Sequence, residues 1–295
     1  MSLPGEVEHN LKQIVTFARR AARESVDLLL TPELSATGYG SYPEVLALAE
    51  VAGKGPIYEA LARAAEATEV VIAAGFVEAA GDKKHLSHYV VYPDRRFVTQ
   101  RKHRVTLSEL PLDSGVPLDP PDYEHAPPID PADPGQPHNL DFRFFEVKGV
   151  RCAIAICADG GITRLYPYLA SQDVELCLHP AGAGGNREDR VTSEELATEA
   201  GRDKYLWMLE QVFCPGAGIK QCIQYGIAAA AVNVCGYDGR RYYHLGHGTI
   251  ITPMGEVPAV FHGLPNLDRQ RPCYASAVVD VLDRLEIERP KIAVS

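Results

Sequence analysis

Leu11, Ile14, Val15, Ala18, Ala21 and Ala22 recur at three- and four-residue intervals, which predicts an amphipathic helix ending near Ser25. The unbroken apolar run Val26 to Leu30 predicts a buried strand directly after it. Ile57 to Thr68 predicts a second, alanine-rich helix, followed by a strand over Val70 to Val77. Tyr89 to Tyr92 and Phe97 to Arg101 flank Pro93-Asp94 and predict a hairpin. Phe142 to Val147 and Arg151 to Ile156, joined through Lys148-Gly149, predict another. Further strands are expected at Val174 to His179, Ile227 to Val234, Thr249 to Thr252 and Tyr274 to Val281. Helices are expected over Ile162 to Ala170 and much of Ser193 to Gln211. Helices alternating with strands indicate a layered α/β fold.

Pro111 to Pro137 breaks the pattern, with nine prolines and neither lysine nor arginine. Fixed φ angles and missing N–H donors exclude a regular helix or central strand there. The segment reads as a loop insertion, a surface excursion or a lid. Residues 182–222 read as a helical insertion of two helices near the site, with Tyr205, Trp207 and Phe213 as candidate pocket lining.

The chain has 295 residues, 46% of them apolar, so it can bury a sizeable core and is read as one domain over 1–295. Twenty-nine basic residues against thirty-nine acidic ones give a formal charge of −10, without a basic run. That balance argues against nucleic acid and against an anionic membrane as partners. Seven scattered cysteines form no CxxC pair, and no apolar stretch approaches ~18 residues. A cytoplasmic location is expected, with a small molecule as the partner.

Three places carry candidate chemistry. Glu33 follows an apolar strand through Thr31-Pro32, with Gly38-Tyr39-Gly40 beyond it. Strand carboxyl ends are where open α/β sheets place ligands. Gln100-Arg101-Lys102-His103 ends another strand, and Glu109 lies seven residues past Lys102. Ala153 to Ile156 runs into Cys157-Ala158-Asp159-Gly160-Gly161, a thiol at a strand-to-helix turn. Free N–H groups at such a turn favour a thiolate and can hold an oxyanion. Phosphate-loop, HExxH, GxSxG and GxGxxG motifs are absent.

Together these places resemble the nitrilase superfamily of carbon–nitrogen hydrolases. Pro32-Glu33-Leu34 with Gly38-Tyr39, Arg101-Lys102, and Ile156-Cys157-Ala158-Asp159 match its Glu–Lys–Cys motifs in order and spacing. Pro4 to Leu11 is similar to its lead-in to the first helix, and Gly248 to Glu256 to its late strand and turn. The resemblance implies a four-layer α-β-β-α sandwich whose subunits pair, so a homodimer or higher homo-oligomer is expected. It implies Glu33 as general base, Cys157 as nucleophile, and Lys102 with the Ala158 N–H as oxyanion donors. Glu109 is implied as a support that orients Lys102 or the substrate, with no metal or other cofactor. Tyr39, Asp159 and Arg164 are candidate substrate contacts.

The chain departs from the family pattern at identifiable places. Ile162-Thr163-Arg164 stands where the family often has Phe-Pro-Glu, and Gly160-Gly161 where its carbamoyl amino-acid hydrolases carry two arginines. Ala158-Asp159 replaces the Trp-Glu common in enzymes acting on nitriles, which favours an amidase over a nitrilase. The family's usual strand before the first helix has only Met1 to Leu3 in its place. Either the chain was started late or the strand is lost, and its loss is expected to leave an unpaired sheet edge or a groove in the core. A nitrilase, or an inactive paralogue serving as a binding or scaffold protein, is the alternative reading.

Overall fold

Helix α1 (Val7–Arg23) turns Ile14, Ala18 and Ala21 inward, as its apolar spacing requires. The structure, a computed structural model, describes residues 2–106, 109, 142–162, 165–186, 191–213, 215–240, 242–262 and 274–282. The Pro-rich segment 111–137 and Arg164 lie outside them. After α1 come β1 (Leu28–Leu30), α2 (Pro43–Leu46), α3 (Pro56–Thr68), β2 (Val71–Ala80), β3 (Lys83–Val91) and β4 (Phe97–Arg101). Helix α3 starts on a proline, and the buried Glu50 carboxylate accepts from the N–H groups of Ile57 and Tyr58, both at 2.8 Å. An anion there satisfies orphan amides and meets the positive end of the helix dipole.

The second half runs β5 (Phe145–Val147), β6 (Val150–Ile154), a 3₁₀ turn (Cys157–Gly161), α4 (Leu165–Ser171), β7 (Leu176–Ala181) and β8 (Gly184–Asn186). Then follow α5 (Ser193–Leu196), α6 (Glu199–Phe213), α7 (Pro215–Tyr225) and β9 (Ala228–Asn233). The last elements are β10 (Cys235–Tyr237), β11 (Tyr242–Leu245), β12 (His247–Ile251) and β13 (Ala259–His262).

Two principal sheets result, one in the order β1-β2-β3-β4 and one in the order β13-β12-β9-β7-β6-β5. Strand alternation sorts their side chains into layers. Ile72, Ala74, Phe76, Tyr89 and Val91 pack under α1 and α3, whereas Val71, Ala73, Val90 and Tyr92 face the other sheet. From that sheet Cys152, Ile154, Ile156 and Leu178 face back across the interface. Ala153, Ala155 and Cys177 point outward to α4 and α7. The architecture is therefore α-β-β-α in four layers. A third, small sheet orders β10-β11-β8.

In the first sheet β1 and β2 are parallel, and β4, two antiparallel steps further on, runs in their direction. In the second, β6, β7 and β9 are parallel. Glu33 and Lys102 follow the carboxyl ends of β1 and β4, and Cys157 follows that of β6.

The strand expected over Tyr274 to Val281 joins no ladder. Residues 274–282 alternate, with Val281 buried and Val278 almost fully exposed, and Tyr274 stacks on Phe17 at 5.8 Å. Between this segment and the edge of β1 lies a cavity of about 590 Å³, lined by Leu28, Leu30, Leu178, Val232, Ile250 and Val279 among others. Among the described residues β1 pairs only with β2, and its other edge faces this cavity.

Among the described residues the insertion at 182–222 holds β8 and three helices rather than two. The single helix expected over Ser193 to Gln211 is broken. Thr198 Oγ1 accepts from Gly201 N–H at 3.1 Å and caps a new helix. A Cβ at Gly201 would lie 1.8 Å from the Glu195 carbonyl oxygen, so the chain folds back tightly there. Strand β3 begins at Lys83, six residues earlier than expected, because His85, Ser87 and His88 are buried polar positions within it. Among the described residues no helix is long and apolar enough to cross a membrane.

Candidate active site

The loop after β1 is pinned onto β2. Thr31 N–H donates to the Ala73 carbonyl, Ala36 N–H to that of Gly75, and Ser35 Oγ accepts from Gly75 N–H at 3.1 Å. A Cβ at residue 75 would lie 2.2 Å from Leu34 N, so only glycine allows this approach. Leu34 itself takes a φ of 49°. Glu33, buried, is thereby aimed away from β2 into the interior.

Lys102 leaves β4 with its N–H bonded to the Leu86 carbonyl at 2.7 Å. Its fully buried ammonium donates to Glu33 Oε1 at 2.8 Å and also to Glu109 Oε1. Glu109 accepts further from Tyr39 Oη at 2.9 Å and from Thr106 N–H at 2.7 Å. A carboxylate oxygen of Glu33, one of Glu109 and Cys157 Sγ all lie within 4.8 Å of one another. That cluster has the size of a cation site. The Lys102 ammonium already supplies its positive charge, which would repel a metal ion placed there.

Cys157 opens the 3₁₀ turn with a φ of 49°, a left-handed conformation uncommon for a side chain other than glycine or asparagine. The Gly182 N–H, just past β7, reaches its thiol. Burial pushes the thiol up to about 12, assisted by Glu33 and Glu109 and opposed by Lys102 and the Gly182 amide. Glu33 is likewise raised, to about 8, by burial first, against the pull of Lys102 and with the push of Glu109. Burial works against the charge on Lys102, but Glu33, Cys157 and Glu109 outweigh it and hold the amine above its ordinary range. The resting arrangement is a protonated thiol beside a carboxyl group that titrates near neutrality.

Asp159, a candidate substrate contact, is a brace of the main chain in the structure. It is fully buried, and its carboxylate accepts from the N–H groups of Ile156 (3.0 Å), His103 (3.0 Å) and Arg104 (2.7 Å). One carboxylate thus ties the segment after Lys102 to the turn that bears Cys157. Tyr39 is buried as well, with its hydroxyl bound to Glu109. Ala158 sits, half-buried, in the 3₁₀ turn. Tyr205 packs with Val191 and Tyr243 in a small cluster, and Trp207 is 61% exposed on the outer side of α6, so neither lines the site. The Phe213 side chain lies outside the described residues.

Sequence reasoning missed the Gly182 amide and His244. Gly182-Ala183-Gly184-Gly185 carried a loop signal, but nothing in it marked an amide aimed at sulfur. A Cβ at residue 182 would lie 2.1 Å from the Tyr39 ring, so the glycine permits that close passage. His244, on β11, stands edge-on to the same ring at 5.1 Å.

The chain belongs to the carbon-nitrogen hydrolase family, whose profile matches residues 2–261. It is a hydrolase of carbon–nitrogen bonds. It is 23% identical over 281 residues to a probable nitrilase of Schizosaccharomyces pombe, covering 94% of this chain and 85% of that one. Among solved structures it resembles a cysteine-to-alanine mutant of an amidase from Nesterenkonia AN1, with a TM-score of 0.65 and 17% identity. That match covers 90% of this chain and 84% of the amidase. The amidase in complex with butyramide matches with a TM-score of 0.64 at 17% identity, over 90% and 85% of the two chains.

Proposed function

We propose that this hydrolase is a cysteine-dependent amidase that cleaves a small carboxamide through a thioester. The carrying observation is the buried ammonium of Lys102 shared by Glu33 and Glu109 beside the Cys157 thiol. Glu33 takes the thiol proton as sulfur attacks the amide carbon. Two of the three ammonium hydrogens go to glutamates, which leaves one for the developing oxyanion, joined by the Ala158 N–H. Glu33 returns its proton to nitrogen, ammonia or an amine departs, and the acyl group stays on sulfur. Water then gives a proton to Glu33 and attacks the thioester, releasing the acid and restoring the thiol. Glu109, fixed by Tyr39 and Thr106, holds Lys102 in place. Two such chains are proposed to pair as a homodimer.

Ammonia release from a panel of amides and nitriles, with intact-mass detection of the acylated protein, tests this reading. Amides are expected to be hydrolysed and to leave their acyl mass on Cys157. Cys157→Ala is expected to abolish both signals while keeping the melting curve. Turnover of nitriles alone would make the protein a nitrilase, and substantial activity in Cys157→Ala would refute the mechanism.

A further inference from the structure

Neither ring nitrogen of His244 has a hydrogen-bond partner, although the residue is 1% exposed. Interiors leave few polar groups unmet, and each such group asks for a ligand or a water. His244 lies against the site already described. Its ring meets Tyr39 at 84°, and Tyr39 also packs closely on Gly182, whose amide reaches the Cys157 thiol. The main chain of Gly182 and Ala183 approaches the imidazole without closing a hydrogen bond to it. A Cβ at Gly184 would lie 2.8 Å from His244 Nδ1, so glycines at 182 and 184 together keep this ground clear of side chains.

The hairpin that carries His244 is also fixed to the loop that carries Tyr39. Tyr42 Oη donates to Asp238 Oδ2 at 2.9 Å, and Arg240 Nη2 pairs with Glu44 Oε1 at 2.6 Å. Burial lowers the pKa of the imidazole, so it is neutral at pH 7 and offers one donor and one acceptor. A group so placed, rigid and unpaired, is arranged to recognise something polar.

We propose that His244 is a substrate-recognition residue that selects amides whose acyl chain carries a hydrogen-bonding group, such as a hydroxyl, over purely aliphatic ones. The proposal rests on the amidase reading for the identity of the ligand. A site built to pair with a polar group disfavours the analogue lacking it, because its own buried atoms are then left unmatched.

Binding is read by calorimetry on Cys157→Ala protein with propanamide, lactamide and 3-hydroxypropanamide. At least one hydroxy amide is expected to bind about tenfold more tightly than propanamide. His244→Phe in the same background is expected to erase that margin, and His244→Gln to reduce it to about threefold. Should His244→Phe fail to fold, His244→Gln alone decides. Equal affinities, a margin untouched by either variant, or no binding of any of the three overturns the proposal. Ammonia release by the wild-type chain is measured alongside. Selective binding without turnover of any amide would refute the amidase reading and leave the recognition role standing; turnover without selectivity would do the reverse.

Discussion

At the scale of single residues, the site is governed by how one ammonium balances two carboxylates and a thiol. Removing water raises both Glu33 and Cys157, so the thiol rests protonated and the carboxyl gives up its own proton only as pH approaches about 8. Glu33 must be ionised to accept the thiol proton, and its carboxyl is raised from 4.5 to about 8. Activity therefore falls as pH drops through that value, since the carboxyl is then protonated. A profile of kcat/KM against pH is expected to show a rising limb centred near about 8 rather than near 4.5. Iodoacetamide labelling of Cys157 is expected to follow the same curve, and a midpoint in the ordinary carboxylate range would contradict the assignment of Glu33 as base.

At the scale of elements, the catalytic side chains are held by close passages of main chain. The approach of the 31–36 loop to β2 at Gly75 has no room for a methyl group, so Gly75→Ala must push Leu34 and Glu33 outward. Overpacking of this kind costs about 1–3 kcal/mol. A displacement of the base by about 1 Å costs about a hundredfold in rate. Urea unfolding and kcat together check this: stability lost with activity intact would show that the loop moves without Glu33. Elements of strong period were legible in the sequence. Helices α1 and α3 and strand β4 fall where apolar spacing puts them. Strand β3 was cut short because buried histidines and a serine interrupt its apolar pattern, and β8, β10 and β11 are three or four residues long and rich in glycine and tyrosine. The motif around Glu33, Lys102 and Cys157 was legible only through family resemblance. The bond from Tyr39 to Glu109 spans 70 residues, and the brace from Asp159 to His103 spans 56, which no local pattern encodes.

At the scale of the whole molecule, two sheets meet through a shared apolar layer, and that layer is incomplete beside β1. The cavity of about 590 Å³ leaves three residues of β1 held on one side only. Hydrogen–deuterium exchange is expected to label Leu28 to Leu30 well before β2 and β7, whose strands are paired on both sides. Equal protection in all three strands would show that something else covers the edge. A larger apolar residue at Ala230, on the cavity wall, is expected to add about 0.5–2 kcal/mol to stability by filling part of the void, read as a higher melting temperature.

Because β1 leads straight into Glu33, a sheet edge bordered by a cavity is also the anchor of the proposed base. Warming should therefore silence the enzyme in two stages. Turnover would vanish first and reversibly, as three leucines come loose, while ellipticity still reports an intact body; cooling at that point would restore it, and only further heat would make the loss permanent.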